Sequence, residues 1–217
     1  MSRLWIIGCS VSHGVGVKAN QRWGQLVSDQ LNLPAIFLTA EGSSIEWAAN
    51  QILQADIKTD DVVLWGLTSP NRFMYYNDSG QAQHILSVYY GNNPEFEKII
   101  SNRRLVDDNL AYKAINYVKQ VQNFLNKIGC QYSIGYLLPG IDDHKKIVLD
   151  ELANSKNFFV AERLDKSFNA DKTKFLNQTI PNTTDMFIDV GTDGFHPGVL
   201  QHQYYANKYM NILETSK

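Results

Sequence analysis

Short apolar runs alternate with longer segments of helical periodicity in the first third of the chain. Residues 4–7, 34–38 and 62–65 are apolar throughout, which is typical of strands that are buried on both faces. Between these runs, residues 20–31 and 44–53 carry apolar side chains at spacings of three and four, which predicts amphipathic helices. This β-α-β-α-β order predicts a parallel sheet with helices packed on its faces.

An irregular interval follows the third predicted strand. Residues 67–106 have no sustained period, and a structureless stretch of this length is unusual in a compact domain, so we expect a short helix at 95–100. Because the interval begins where the third strand ends, it is either a surface insertion without a role or a lid over that edge of the sheet.

The second half of the chain resumes the helix and strand alternation. A long helix is predicted from residue 107 or 108 to 128, followed by a fourth strand at 132–138. Pro197 is expected at the first helical position of the last helix, which carries apolar residues from 200 to 213. Two shorter segments are a possible helix at 147–153 and an apolar run of uncertain state at 158–160.

Composition narrows the class of protein. A chain of 217 residues with 44% hydrophobic residues is long enough for one substantial core, so we predict a single α/β domain over residues 1–217. A net charge of −2 with scattered basic residues argues against a nucleic-acid surface. Cys9 and Cys130 are expected as buried free thiols, although a bridge between them is not excluded. No secretory signal or membrane-length apolar run is present, so we expect a cytoplasmic protein that does not enter a membrane.

Two short motifs carry side chains suited to nucleophilic catalysis. Ser10 follows the first strand in the sequence Gly8-Cys9-Ser10, where a parallel sheet presents residues at its ligand-binding edge. Asp193 and His196 are separated by two residues, so one turn can hold the carboxylate against the imidazole and fix its tautomer. Each motif also has a plain structural interpretation, as an ordinary turn or as a helix cap.

The order of these motifs along the chain resembles the SGNH (GDSL-type) hydrolase superfamily. That family has a Gly-Asp-Ser block, a glycine block after the second strand, a Gly-x-Asn-Asp block after the third, and an Asp-x-x-His block near the C-terminus. The resemblance implies a three-layer α/β/α sandwich with a central parallel sheet wound as in flavodoxin. It further implies Ser10 as nucleophile, His196 as general base, Asp193 as orienting acid, and the backbone N–H groups of Ser10 and Gly42 as oxyanion donors.

The chain departs from the family pattern at two positions. Cys9 replaces the aspartate of the first block, and strand alternation is expected to turn its thiol towards the interior. Thr68 stands where the family has asparagine, so either the Thr68 hydroxyl or the nearby Asn71 amide completes the oxyanion site.

These features predict a serine hydrolase that cleaves a carboxylic ester of a small molecule or a glycan, without a metal or an organic cofactor. We expect four residues to shape the substrate pocket: His13, Arg72, Phe73 and Tyr75. A second hypothesis is a weak or inactive module of the same fold that binds glycans, because two blocks are altered. A third is a nucleotide-binding flavodoxin-like protein. The oligomeric state is not indicated.

Overall fold

A computed structural model describes residues 2–76, 82–86, 103–138, 143–161 and 188–215. The strands are β1 Leu4–Gly8, β2 Ala35–Thr39, β3 Val62–Leu67, β4 Arg72–Tyr76, β5 Ala82–Leu86, β6 Gln131–Tyr136 and β7 Phe158–Val160. The α-helices are α1 Ser10–His13, α2 Trp23–Leu31, α3 Ile45–Gln54, α4 Arg103–Ile128, α5 Asp143–Leu152 and α6 Val199–Thr215, with a 3-10 turn at Ala19–Gln21.

Five strands form one parallel sheet in the order β2-β1-β3-β6-β7. Gly8, the last residue of β1, pairs with Thr39 of β2 on one side and Gly66 of β3 on the other. This winding confirms the predicted flavodoxin-like sheet, and it brings the turns after β1, β2 and β3 to one carboxyl edge.

Helices cover both faces of the sheet, as expected for a three-layer α/β/α sandwich. The core under α3, α4 and α5 includes the fully buried Trp65 of β3 and Ile134 of β6. The opposite core lies under α2 and α6, where Trp23 stacks on Tyr209 with ring centroids 4.4 Å apart. Tyr209 also donates a 2.9 Å hydrogen bond to the carbonyl of Trp65, which fixes α6 to the middle of the sheet.

Two local predictions are confirmed. The helix predicted at 44–53 is α3, and Ser44 caps it, because its hydroxyl accepts a 3.1 Å hydrogen bond from the backbone N–H of Trp47. Both cysteines are buried free thiols, and Cys9 packs in the core under α2 and α6 with 3% of its surface exposed. In the described part of the chain, every helix is too short or too polar to cross a membrane.

Other local expectations are completed, corrected or not tested by the described residues. The start of the irregular interval forms an antiparallel pair, β4 with β5, for which the sequence pattern gave no signal. The apolar run at 158–160 is the edge strand β7, paired with β6. Pro197 is not the first helical residue, because it bridges to Val190 and α6 begins at Val199. The helix expected at 95–100 lies outside the described residues.

Candidate active site

Asp193 and His196 form a direct pair. His196 Nδ1 lies 2.5 Å from Asp193 Oδ2, and Asp193 Oδ1 accepts hydrogen bonds of 3.1 Å from the backbone N–H groups of Phe195 and His196. Burial raises the pKa of Asp193, but the bonds from the His196 ring and from these two N–H groups outweigh it and lower the pKa to about 2. The carboxylate is therefore ionised at neutral pH and holds the imidazole by Nδ1, which leaves Nε2 for chemistry.

A tight hairpin fixes this pair in place. The backbone N–H of Gly191 donates a 2.7 Å bond to the carbonyl of His196, and Val190 bridges to Pro197. Both carboxylate oxygens of Asp189 then accept bonds from the first turn of α6, at 3.0 Å from the N–H of Leu200 and at 2.8 Å from that of the next residue. Asp189 thus anchors the hairpin to the helix that follows.

Gly16 joins the hairpin to the segment that follows Ser10. Its carbonyl accepts bonds from the backbone N–H of Thr192 at 2.9 Å and from the hydroxyl of Thr192 at 3.2 Å. Gly16 has φ of +86°, and a Cβ placed there would lie 3.0 Å from Asp193 Oδ1. A side chain at this position would press on the carboxylate, so the left-handed glycine permits the close approach.

Ser10 is the first residue of α1, directly after β1. Its carbonyl accepts bonds from the N–H groups of Gly14 at 3.0 Å and Val15 at 3.1 Å, which closes the short helix. The Ser10 side chain is partly exposed, whereas Cys9 before it is buried. The two neighbouring residues are thus separated, because Ser10 is partly exposed and the Cys9 thiol lies in the core under α2 and α6.

Ser12 fills the space between the ends of β1 and β3. A Cβ on Gly8 would lie 2.3 Å from Ser12 Oγ, and a Cβ on Gly66 would lie 2.4 Å from the same oxygen. Two glycines on neighbouring strands therefore let α1 sit directly on the sheet edge. The sequence motifs contained both glycines, but nothing in them indicated that the Ser12 side chain occupies the space beside these two residues.

Arg72 ties together the turns that follow β2 and β3. Its Nη1 donates a 3.2 Å hydrogen bond to the carbonyl of Ser43, and the Ser43 hydroxyl donates to the carbonyl of Gly8 at 3.2 Å. Gly42 lies beside this contact with φ of +74°, a conformation that favours glycine. The guanidinium that we expected in the substrate pocket thus contacts the turn containing Gly42.

Thr68 and Asn71 lie in the same loop after β3, and both are buried. Thr68 is 2% exposed and its Oγ1 has no hydrogen-bond partner among the described residues, and the same holds for Oδ1 of the 7% exposed Asn71. Buried polar atoms normally have partners, so unpaired ones at the carboxyl edge of a parallel sheet are candidates for contacts to a ligand.

Of the remaining predicted pocket residues, only His13 has a side chain within the described part of the structure. His13 is exposed at the end of α1, with Nδ1 3.0 Å from the hydroxyl of Thr39 at the end of β2. The side chains of Phe73 and Tyr75 lie outside the described part of the structure. No group of three or more His, Cys, Asp or Glu side chains that could hold a metal occurs among the described residues.

Sequence reasoning missed Gly16, Asp189 and Ser12. Each acts through close packing or backbone hydrogen bonds, and none belongs to a motif block. The left-handed Gly16 follows Gly14 by two residues, and that clustering is the one sequence signal that pointed to a constrained loop there.

Comparison with known proteins identifies the fold. No family model matches the chain, and no curated protein matches it in sequence. Among solved structures, a member of the lipolytic protein G-D-S-L family from Veillonella parvula aligns with a TM-score of 0.52 at 14% identity, over 97% of each chain. An acetyl xylan esterase from the rumen bacterium Butyrivibrio proteoclasticus aligns with a TM-score of 0.52 at 15% identity, over 99% of this chain and 64% of that one.

A third similar structure is a carbohydrate esterase whose active site is described as having divergent catalytic and non-catalytic binding functions. It aligns with a TM-score of 0.55 at 12% identity, over 98% of this chain and 68% of that one. At these identities the comparisons establish that the chain has the fold of SGNH (GDSL-type) hydrolases.

Proposed function

We propose that this protein hydrolyses a carboxylic ester of a small molecule or a glycan through Ser10, His196 and Asp193. The observation that carries the proposal is the Asp193–His196 pair, held next to the segment that follows Ser10 by the Gly16–Thr192 contact. An imidazole fixed at Nδ1 by an ionised carboxylate is the arrangement that a serine nucleophile needs from its base.

The reaction follows from these roles. Ser10 Oγ attacks the acyl carbonyl carbon while its proton passes to Nε2 of His196, which gives a tetrahedral oxyanion. The intermediate collapses as the bond to the alcohol oxygen breaks, and His196 returns the proton to that oxygen. Water then repeats the sequence on the acyl-Ser10 ester and releases the acid. Asp193 stabilises the imidazolium in both halves of the reaction.

Three sets of donors are available for the oxyanion. Ser10 begins α1, and the N–H groups of a first helical turn have no acceptor within the helix. The left-handed Gly42 turn supplies a second backbone N–H, and the Arg72–Ser43 bond keeps that turn beside the loop after β3. In that loop, we favour the unpartnered Thr68 hydroxyl as the third donor, with the Asn71 amide as the alternative.

Kinetics of matched variants test the proposal. Hydrolysis of p-nitrophenyl acetate is expected to fall by about 10⁴-fold or more in Ser10→Ala and His196→Ala, and by about 10⁴-fold in Asp193→Asn, because these residues act as a unit. Ser2→Ala and Asp29→Asn are the controls, since Ser2 precedes β1 and Asp29 lies in the last turn of α2, both away from the carboxyl edge of the sheet. Wild-type rates in Ser10→Ala would contradict the proposal.

The alternative is a module of the same fold that binds glycans without turning them over. It is favoured by the Thr68 substitution, and the non-catalytic binding described for one similar carbohydrate esterase gives it a precedent. Calorimetric binding of acetylated and unacetylated xylo-oligosaccharides separates the two functions. A binding module retains affinity with no release of acetate, whereas the proposed enzyme releases acetate and loses that activity in Ser10→Ala.

A further inference from the structure

Phe195 presents its aromatic ring to solvent between the acid and the base of the proposed triad. It is 81% exposed, and among the described residues the other strongly exposed large apolar side chain is Tyr112 on α4, at 59%. The backbone N–H of Phe195 bonds to Asp193 Oδ1 at 3.1 Å, so the turn that holds the carboxylate also fixes the residue that carries the ring. Exposed apolar side chains are common singly, but this one adjoins the pair that performs the chemistry.

The chemistry of the reaction decides which half of an ester lies nearest to Phe195. His196 must return a proton to the alcohol oxygen as that group leaves, so the alcohol lies within hydrogen-bond reach of Nε2. The oxyanion donors after β2 and β3 lie in other loops of the sheet edge. Phe195 directly precedes His196 in the chain, so its exposed ring is the apolar surface next in sequence to the base that the alcohol must reach.

We infer that Phe195 is the binding surface for a ring carried by the alcohol half of the substrate. This inference rests on the proposed ester hydrolysis and adds a substrate class, esters of ring-bearing alcohols. The face of an aromatic ring stacks on another ring or on the C–H face of a saturated one, and such contacts add to the burial of apolar area.

Two isomeric esters test this assignment directly. Benzyl acetate carries its ring on the alcohol side, and methyl phenylacetate carries the same ring on the acyl side. Phe195→Ala is expected to lower kcat/KM for benzyl acetate about tenfold, mainly through KM, and to change kcat/KM for methyl phenylacetate less than twofold. Phe195→Trp keeps a flat ring and is expected to retain the wild-type ratio. Tyr112→Ala, which removes the other exposed aromatic ring, serves as the control.

Covalent labelling separates this inference from the proposed function. The rate at which an ethyl fluorophosphonate labels Ser10 is expected to be equal in wild type and Phe195→Ala, because the probe carries no ring. Protection of Ser10 from labelling by benzyl alcohol is expected in wild type and absent in Phe195→Ala. Labelled Ser10 with equal protection in both proteins would overturn the role of Phe195 alone, whereas an unlabelled Ser10 would overturn the hydrolase itself.

Discussion

Replacing Thr68 by valine separates an effect on catalysis from an effect on stability. Thr68 is the position where the SGNH pattern has asparagine. The Thr68 side chain is 2% exposed, and its hydroxyl has no partner among the described residues. Valine has nearly the same shape but cannot donate a hydrogen bond. If the Thr68 hydroxyl is the third oxyanion donor, its partner is the transition state of the reaction, so the substitution affects the rate and leaves the native packing intact.

Thr68→Val is expected to lower kcat and to raise the free energy of unfolding. Removing one oxyanion donor lowers kcat by about 10²–10³-fold, which corresponds to about 2.7–4 kcal/mol of transition-state stabilisation. Removing a buried hydroxyl that has no partner relieves its desolvation, so the free energy of unfolding is expected to rise by about 1 kcal/mol. In a chain of this size, that gain raises Tm by about 2–4 °C.

Steady-state ester hydrolysis gives the change in kcat, and thermal unfolding of the same preparation gives the change in Tm. Ser133→Ala is the matched control, because the Ser133 hydroxyl is also buried without a described partner but lies within β6. It is expected to leave kcat unchanged. A Thr68→Val protein with wild-type kcat would refute the role of Thr68, and loss of activity in Asn71→Ala would then assign the donor to Asn71. A lower Tm in Thr68→Val would show that the hydroxyl has a native partner.

Three further predictions concern stability. Burial raises the pKa of Asp61, but hydrogen bonds from Arg3 and Trp5 lead the interactions that lower it to about 2, so Asp61→Asn is expected to cost about 3 kcal/mol in urea unfolding at pH 7. Burial, and secondarily the charge of a nearby histidine, lowers the pKa of His202 to about 4, so His202→Gln is expected to flatten the pH dependence of stability between about 6.5 and 4. Gly66→Ala is expected to cost about 2 kcal/mol in urea unfolding, with part of the loss recovered when Ser12→Ala removes the opposing oxygen.

The signs of the two pH effects follow from linkage. The folded pKa of Asp61 is below its unfolded value, so its contribution is complete above about pH 4 and is lost as the pH falls through about 2. Unfolded His202 takes up a proton near pH 6.5 while the folded side chain stays neutral to about pH 4, so stability falls over that interval by about 3 kcal/mol. A His202→Gln protein with the wild-type slope over this interval would contradict the second prediction, and unchanged urea midpoints would contradict the others.

The sheet was predictable because its strands are short apolar runs that the sequence separates cleanly. The runs at 4–7 and 62–65 became β1 and β3, and the helices between the first three strands have clear apolar faces. The pair β4–β5 was missed although its strands are close in sequence, because Arg72–Tyr76 and Ala82–Leu86 lack the continuous apolar or strictly alternating pattern that marks a strand. The start of α6 was placed two residues too early, at Pro197, because the cap comes from Asp189, ten residues before the helix, which no local pattern indicates.

In the candidate site, the sequence predicted which side chains come together but not the backbone contacts that hold them. The Asp193–His196 pair could be expected because two intervening residues fit a single turn. The approach of Gly16 to Thr192 could not, because it joins residues 176 positions apart through a carbonyl that every residue has. The contact of Arg72 with Ser43 was likewise hidden, since an arginine in a loop has many acceptors within its reach.

Covalent labelling of the intact protein shows directly which residue is the nucleophile. Wild type, Ser10→Ala and Ser12→Ala are treated with an ethyl fluorophosphonate, and the adduct is located by peptide mass spectrometry. One adduct is expected on Ser10 in wild type and in Ser12→Ala, and none in Ser10→Ala. Labelling is expected to be slower in His196→Ala, because the base is lost. An adduct on Cys9 or another residue, or no adduct in wild type, would contradict the claim that Ser10 is the nucleophile.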